Sequence, residues 1–376
     1  MGDDVSGLHH VGHIVRDMSQ ATERYRRLGF TVSAPAYPVL PRVAGGPAEP
    51  FGVANSHVHF PGNFVELVAV VDDAGAMPDD ARPIPLQVPD NKLPGLRAAI
   101  AATAANITAF LQRFQGLHIM IADTPDIDGV AARLTAAGVG HGGVHAVQRP
   151  VETETGTVME PARYLEISDP ELPAGRVPEG RIGFAQNTPA AAPRNQRHAD
   201  HPNGATGLVA CLICVADPAS PELERRYGAY FGEPRDGRET GFERTTGFER
   251  ATGFEGTTGF EGTTGFEGTT GFEGTTGFEG TTGFEGTTGF EGTTGFERAG
   301  VAVVAASALA ELLPGERPAA LPAFVGYAVS VRDIAVTERL LRDNGVPVAR
   351  TGSGEMFVPA DAALGAAIVF RQETSV

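Results

Sequence analysis

The 376-residue sequence predicts an α+β protein built from four βαβββ modules in two pairs, interrupted by one low-complexity hexapeptide insertion. Three observations predict it. One strand–helix–strand outline recurs four times along the chain. A polar, Pro-rich stretch, "NTPAAAPRNQRHADHPNGA", separates the first two copies from the last two. The length exceeds what one ordinary core organises and favours two or three units.

The first copy opens with "LHHVGHIV", an apolar strand that carries histidines. Asp17 with Gln20 three residues later has the spacing of a capping box, and Ala21, Tyr25 and Leu28 form one apolar helix face. Gly29 stops the helix. Strand-like segments return, and the copy closes with "NFVELVAVV", in which Glu66 stands among apolar residues. A helical insertion follows at about 90–115.

The second copy opens with "LHIMIADTPDIDGVAARLTAAGVGH". Here His118 lies in the strand, and Asp126 or Asp128 caps the helix. Val130, Leu134 and Ala137 form its apolar face, and Gly138 is the stop. Its closing strand reads as "ARYLEISD", with Glu166. The third copy begins "TGLVACLICVADPASPELERRYGAYFG", with Ser220 and Pro221 starting its helix. The fourth begins "AFVGYAVSVRDIAVTERLLRDNGVPV", with Asp333 as cap and Gly345 as stop, and closes with "AAIVFRQ".

These boundaries divide the chain into an N-terminal pair at 7–188, with modules at about 8–72 and 116–186, a linker at 189–204 and a C-terminal pair at 205–376. Within the last, residues 239–298 hold the insertion. From Phe242 to Phe296 the unit "TTGFEG" repeats every six residues, giving ten copies of Gly-Phe-Glu. Such uniformity is the mark of repeat expansion in DNA. A glycine-rich coil with one Glu per copy gains little burial to offset its ordering entropy, so flexibility is expected. Its phenylalanines are an association liability.

Composition narrows the function. A formal charge of −17 argues against nucleic acid or an anionic membrane as partner, since both need a basic footprint. "MGDDVSGLHH" is acidic and polar where a signal peptide would be basic and then apolar, and no run has the length of a membrane helix, so a cytoplasmic location is expected. Cys211 and Cys214 are the two cysteines. They lie in a strand-like run on opposite faces and read as buried small hydrophobes.

The paired modules, each with an early histidine and a later glutamate, resemble the vicinal oxygen chelate superfamily, and more narrowly its glyoxalase-like domain proteins. The resemblance implies two glyoxalase-like domains whose sheets curl around a cleft. In such proteins a module's first strand gives a histidine and its last strand a glutamate, positions matched by His10, Glu66, His118 and Glu166. It implies a divalent ion on these four (zinc, nickel, cobalt, manganese or ferrous iron, which the ligands do not separate). It also implies that Glu66 or Glu166 moves a proton.

The residues leave a metal-free polar cleft open, with Arg149 or Arg163 as the counter-cation that buried carboxylates need. His57 and His59, on one strand face, are candidates to flank the cleft. His9 and His13 fall on the opposite face from His10 by alternation. The leading expectation is a metal-dependent lyase or isomerase of glyoxalase type acting on a small oxygenated substrate. An extradiol-type dioxygenase and a non-catalytic small-ligand binding or resistance protein are the alternatives. The third and fourth modules lack the histidine and the glutamate, so the C-terminal pair reads as degenerate. The cleft closes either within one chain or across a homodimer.

Overall fold

The computed structural model describes residues 4–43, 45–71, 77–86, 90–153, 156–187, 200–217, 221–232 and 297–373. Most of the 189–204 linker and nearly all of the 239–298 insertion lie outside the described residues.

In module one, β1 (Gly7–Ile14) is followed by α1 (Met18–Arg27), β2 (Ala36–Pro41), β3 (Ala48–Pro50), β4 (Val53–His59) and β5 (Phe64–Val70). β6 (Arg82–Pro85) and α2 (Leu93–Arg113) come next. Module two is β7 (Gly116–Asp123), α3 (Ile127–Ala136), β8 (His145–Thr153), β9 (Gly156–Glu166) and β10 (Arg181–Asn187). All these strands share one sheet in the order β3-β2-β4-β5-β1-β7-β10-β9-β8, with β6 beside β2. In each module the first strand lies parallel to the last, and β1 meets β7 antiparallel at the seam.

The local signals work as chemistry requires. The Asp17 carboxylate accepts from Gln20 N at the start of α1, and Asp126 accepts from Gly129 N at the start of α3. Gly29 and Gly138 take positive φ at the helix ends. Ala21, Tyr25, Leu28, Val130 and Leu134 are buried.

One strand assignment is corrected. Module two closes on β10, "RIGFAQN", so Glu166 ends the penultimate strand, β9. A connection with Pro173, Gly175 and Gly180 separates the two strands. In β10, Ile182 and Phe184 enter the core while Arg181, Gly183 and Ala185 take the other face.

Gly180 introduces β10 at φ +152, and a Cβ there would lie 2.1 Å from the His118 carbonyl oxygen. Gly180→Ala is therefore expected to force β10 off β7, destabilising the fold by about 3 kcal/mol or more from strain and overpacking together. Urea denaturation measures this, and a midpoint equal to wild type contradicts it.

The C-terminal half repeats the design. β11 (Ala205–Val215) and α4 (Pro221–Phe231) precede β12 (Glu297–Arg298), β13 (Val301–Ala305), α5 (Ala306–Leu312), β14 (Ala323–Val331) and α6 (Ile334–Asp343). β15 (Ala349–Arg350), β16 (Met356–Val358) and β17 (Ala367–Gln372) complete a seven-stranded sheet. Again first and last strands run parallel, β11 with β13 and β14 with β17. One face of this sheet is filled by Leu212, Cys214, Val304, Phe357 and Val369 packed under Leu309 and Leu312 of α5. Cys211 points to the other face, into the main core.

That core runs without a break between the halves. Tyr25, Leu117, Met120, Val130 and Phe184 of the first pack in one cluster with Ile213, Tyr227, Tyr327 and Ile368 of the second. A directed chain of hydrogen bonds crosses it. His13 Nε2 donates to the Leu364 carbonyl at 2.9 Å, so its Nδ1 accepts from the Tyr25 hydroxyl at 2.7 Å. Tyr25 in turn accepts from Tyr327 at 3.0 Å. The end of the linker also docks. His201 Nδ1 accepts from Thr31 N, and its Nε2 donates to the His59 carbonyl.

Candidate functional site

The opposite face of the N-terminal sheet forms the cleft. The strand registers order its side chains into two rows. One runs His59, Phe64, His10, Ile121, Gly183 and Glu166 across β4, β5, β1, β7, β10 and β9. The next runs His57, Glu66, Gly12, Ile119 and Arg181. Towards one end α2 roofs this face, packing Ile107 and Phe110 against Ile14, Val68, Ile119 and Ile121.

Glu66 lies between polar neighbours. Its Oε1 accepts from Asn55 Nδ2 at 3.3 Å and lies 3.9 Å from His57 Nε2. Burial pushes its carboxyl up from the ordinary range, against the pull of Asn55 and of the Arg181 charge. The imidazoles are held down: His57 falls to about 4 by burial, and His10 well below its usual value by burial and then by His9, His57 and Arg181. At neutral pH these rings are uncharged. His10 stacks on Phe64 with centroids 4.5 Å apart, and His57 stacks on His59 at 5.1 Å. The cleft wall is thus aromatic with polar edges.

His118 is not part of this group. At the seam the register slips between Leu8 and His10 and again between Gly12 and His13, where the partner residues jump from Ile119 to Leu117. His9 and His118 are the two bulged residues, which makes His9, not His10, the counterpart of His118 in the repeat. The bulge turns His118 to α2, where its ring packs on Phe110 and Phe114 and its Nε2 donates to the Phe114 carbonyl at 2.9 Å. Burial lowers it to about 4. Since His10 faces Ile121, three residues along β7, about 10 Å of strand separates the two histidines. His9 instead turns beside His10, the two Nδ1 atoms 2.7 Å apart. His13 lies on the opposite face, as alternation requires.

Glu166 is ion-paired to Arg181 and lies four strands from Glu66. Among the described residues no three His, Cys, Asp or Glu side chains are gathered so as to hold a metal. The set His10, Glu66, His118 and Glu166, as placed, does not fit a divalent ion. Arg163 is corrected as well. Three residues from Glu166 on the same strand, it faces the other way and makes a two-pronged ion pair with Asp128 at the start of α3, at 2.7 and 2.8 Å. The Arg149 side chain lies outside the described residues. Arg181 supplies a cation to the cleft, its charge acting on both His10 and Glu66, while that of Arg82 acts on His57.

Two residues of the cleft escaped the sequence reading, Asn55 and Arg181. Both carried a period-two signal. Asn55, His57 and His59 alternate with apolar or small residues, and Arg181, Gly183 and Ala185 alternate with Ile182 and Phe184.

With this geometry in view, the chain can be set beside known proteins. No curated protein matches it. A triple mutant of 4-hydroxymandelate synthase from Streptomyces coelicolor is similar in structure at 13% identity and a TM-score of 0.48, over 99% of this chain and 94% of that one. A xylose isomerase-like TIM barrel/4-hydroxyphenylpyruvate dioxygenase fusion protein aligns at 10% identity and a TM-score of 0.46, over 100% of this chain and 50% of its own length. Methylmalonyl-CoA epimerase from Mycobacterium tuberculosis aligns at 19% identity and 0.25, over 50% of this chain and 91% of that one. The profile of the glyoxalase-like domain family matches residues 8–231, more than half of the sequence and the N-terminal sheet from Leu8 onward. The chain belongs to the glyoxalase-like domain family, within the vicinal oxygen chelate superfamily.

Proposed function

We infer that the N-terminal cleft binds a small oxygenated molecule and that Glu66 moves a proton on it, an isomerase- or lyase-type reaction. The observation that carries this reading is the environment of Glu66. A base needs a proton affinity near the working pH, and burial pushes this carboxyl upward while Asn55 fixes one of its oxygens. His57, held neutral, offers a donor and an acceptor to substrate oxygens, His10 offers the ring nitrogen not engaged with His9, and Phe64 supplies an apolar wall.

No step in this reading passes through a metal ion, because the expected ligands do not converge. His118 and Glu166 take other parts, the first packing under α2 and the second orienting Arg181. The C-terminal sheet, its corresponding face filled by α5, acts as the partner that completes the shared core.

Solvent exchange tests the reading. The full chain is incubated in D2O with small α-hydroxy and α-oxo carbonyl compounds, and deuterium entry at the carbon beside the carbonyl is followed by NMR. Exchange faster than the buffer blank supports proton transfer. Saturable binding of such compounds without exchange favours the binding-protein alternative.

A further inference from the structure

Arg181 gives the cleft a cation of its own. It projects from the start of β10, on the same face as Glu66 and one strand from Glu166. Its Nη2 is ion-paired with Glu166 Oε1, and among the described residues that is its one hydrogen bond. The side chain is 30% exposed, and none of its nitrogens is among the buried polar atoms of the described residues that have no partner. The row between Glu66 and Arg181 holds Gly12 and Ile119, and the Ile119 side chain lies over Gly12 and under α2, so the approach to Arg181 is from its exposed side.

The support behind the guanidinium is built closely. Glu166 Oε2 occupies the space over Gly175, where a Cβ would come within 2.5 Å, and Gly175 N is itself fixed by the Ser168 hydroxyl at 2.8 Å.

We propose that this cleft takes a ligand with paired anionic oxygens, a carboxylate or an enediolate, on the guanidinium of Arg181, which does here the work that the vicinal oxygen chelate resemblance gives to a divalent ion. A guanidinium presents parallel N–H donors that match two oxygens on one carbon or on adjacent carbons, as two open positions on a metal would. Its ion pair with Glu166 fixes the plane of that fork. A dication placed between the two carboxylates would meet this fixed positive charge at short range. The inference rests on the N-terminal cleft being the ligand site, but not on Glu66 moving a proton.

The test uses oxalate, a planar paired-oxygen dianion, titrated into the full chain by calorimetry with and without excess EDTA. Binding is expected with the same affinity in both. Arg181→Met should weaken it roughly 10- to 100-fold. Arg181→Lys, which keeps the charge but not the fork, should weaken it less while preserving the near-ultraviolet circular dichroism. In a parallel arm, Mn2+ and Zn2+ are titrated into wild type and Glu66→Gln. No stoichiometric ion that depends on Glu66 is expected, and this arm does not require the Arg181 variants to fold. Oxalate binding that needs added metal, that persists in Arg181→Met, or that is absent from wild type overturns the proposal. If oxalate binds in EDTA and no substrate exchanges deuterium, the proton-transfer reading fails and this one stands.

Discussion

Glu66→Gln is expected to lower turnover by about 10²- to 10⁴-fold, the usual worth of a positioned general base. The amide keeps the size of the side chain and a carbonyl for Asn55 to donate to at the same place. It removes only the ability to take a proton. Folding should be unharmed or improved, because burying an ionisable carboxyl is costly and the amide relieves that cost. Oxalate affinity should change by no more than a few fold, since Arg181 is untouched. In wild type, activity should rise with pH through an apparent pKa above the ordinary 4.5 of a glutamate, as Glu66 loses its proton. Steady-state kinetics across pH decide the matter. A Glu66→Gln enzyme within threefold of wild type contradicts the assignment.

Acidification from pH 6.5 towards 4 should unfold the protein steeply. His13, His57 and His118 are each held to about 4 by burial, whereas in the unfolded chain they take up protons at about 6.5. Between those values the unfolded state holds more protons, so stability falls as pH falls, by roughly 1.4 kcal/mol per pH unit for each group. The stabilisation is complete above 6.5 and lost by about 4. His13 alone accounts for on the order of 3 kcal/mol over this window, against a total of about 5–15 kcal/mol for a typical domain.

His13 also explains why protonation does structural harm. Its Nδ1 accepts the Tyr25 hydroxyl, and a charged ring would turn that acceptor into a donor facing an O–H already committed to it. Burial lowers His10 and His201 in the same sense, while Glu66 and Glu316, raised by burial, act in the opposite one, two groups against five. Melting temperature followed from pH 7 to 5 should drop continuously, and a flat profile contradicts the account.

Much of the architecture was legible because it repeats. Helix caps at Asp17, Asp126 and Asp333, stops at Gly29, Gly138 and Gly345, and strands of alternating burial follow from local chemistry, and the four copies reinforce one another. The cleft face was legible in module one, where Glu66, His10, His57 and His59 share a side of the sheet. It was misread in module two for two physical reasons. A β-bulge adds a residue that periodicity cannot see, and it moved the counterpart of His118 from His10 to His9. The strand that carries Glu166 is followed by a long Pro- and Gly-containing connection, which hides the short closing strand β10. Aligning the copies at Leu8 and Leu117 sets Gly183 opposite the position of Glu66, and Arg181 opposite that of Phe64. Gly183 therefore stands in the second module where the expected symmetry had placed another acid, and the Arg181 cation lies two residues before it.

Diffraction from crystals of the full chain grown with Mn2+, recorded for anomalous scattering, tests this placement most directly. The account predicts Arg181 lying over the cleft floor in contact with Glu166, His118 packed under α2, and no manganese peak between Glu66 and Glu166. A manganese ion held by His10, Glu66, His118 and Glu166, with the guanidinium displaced, would contradict it.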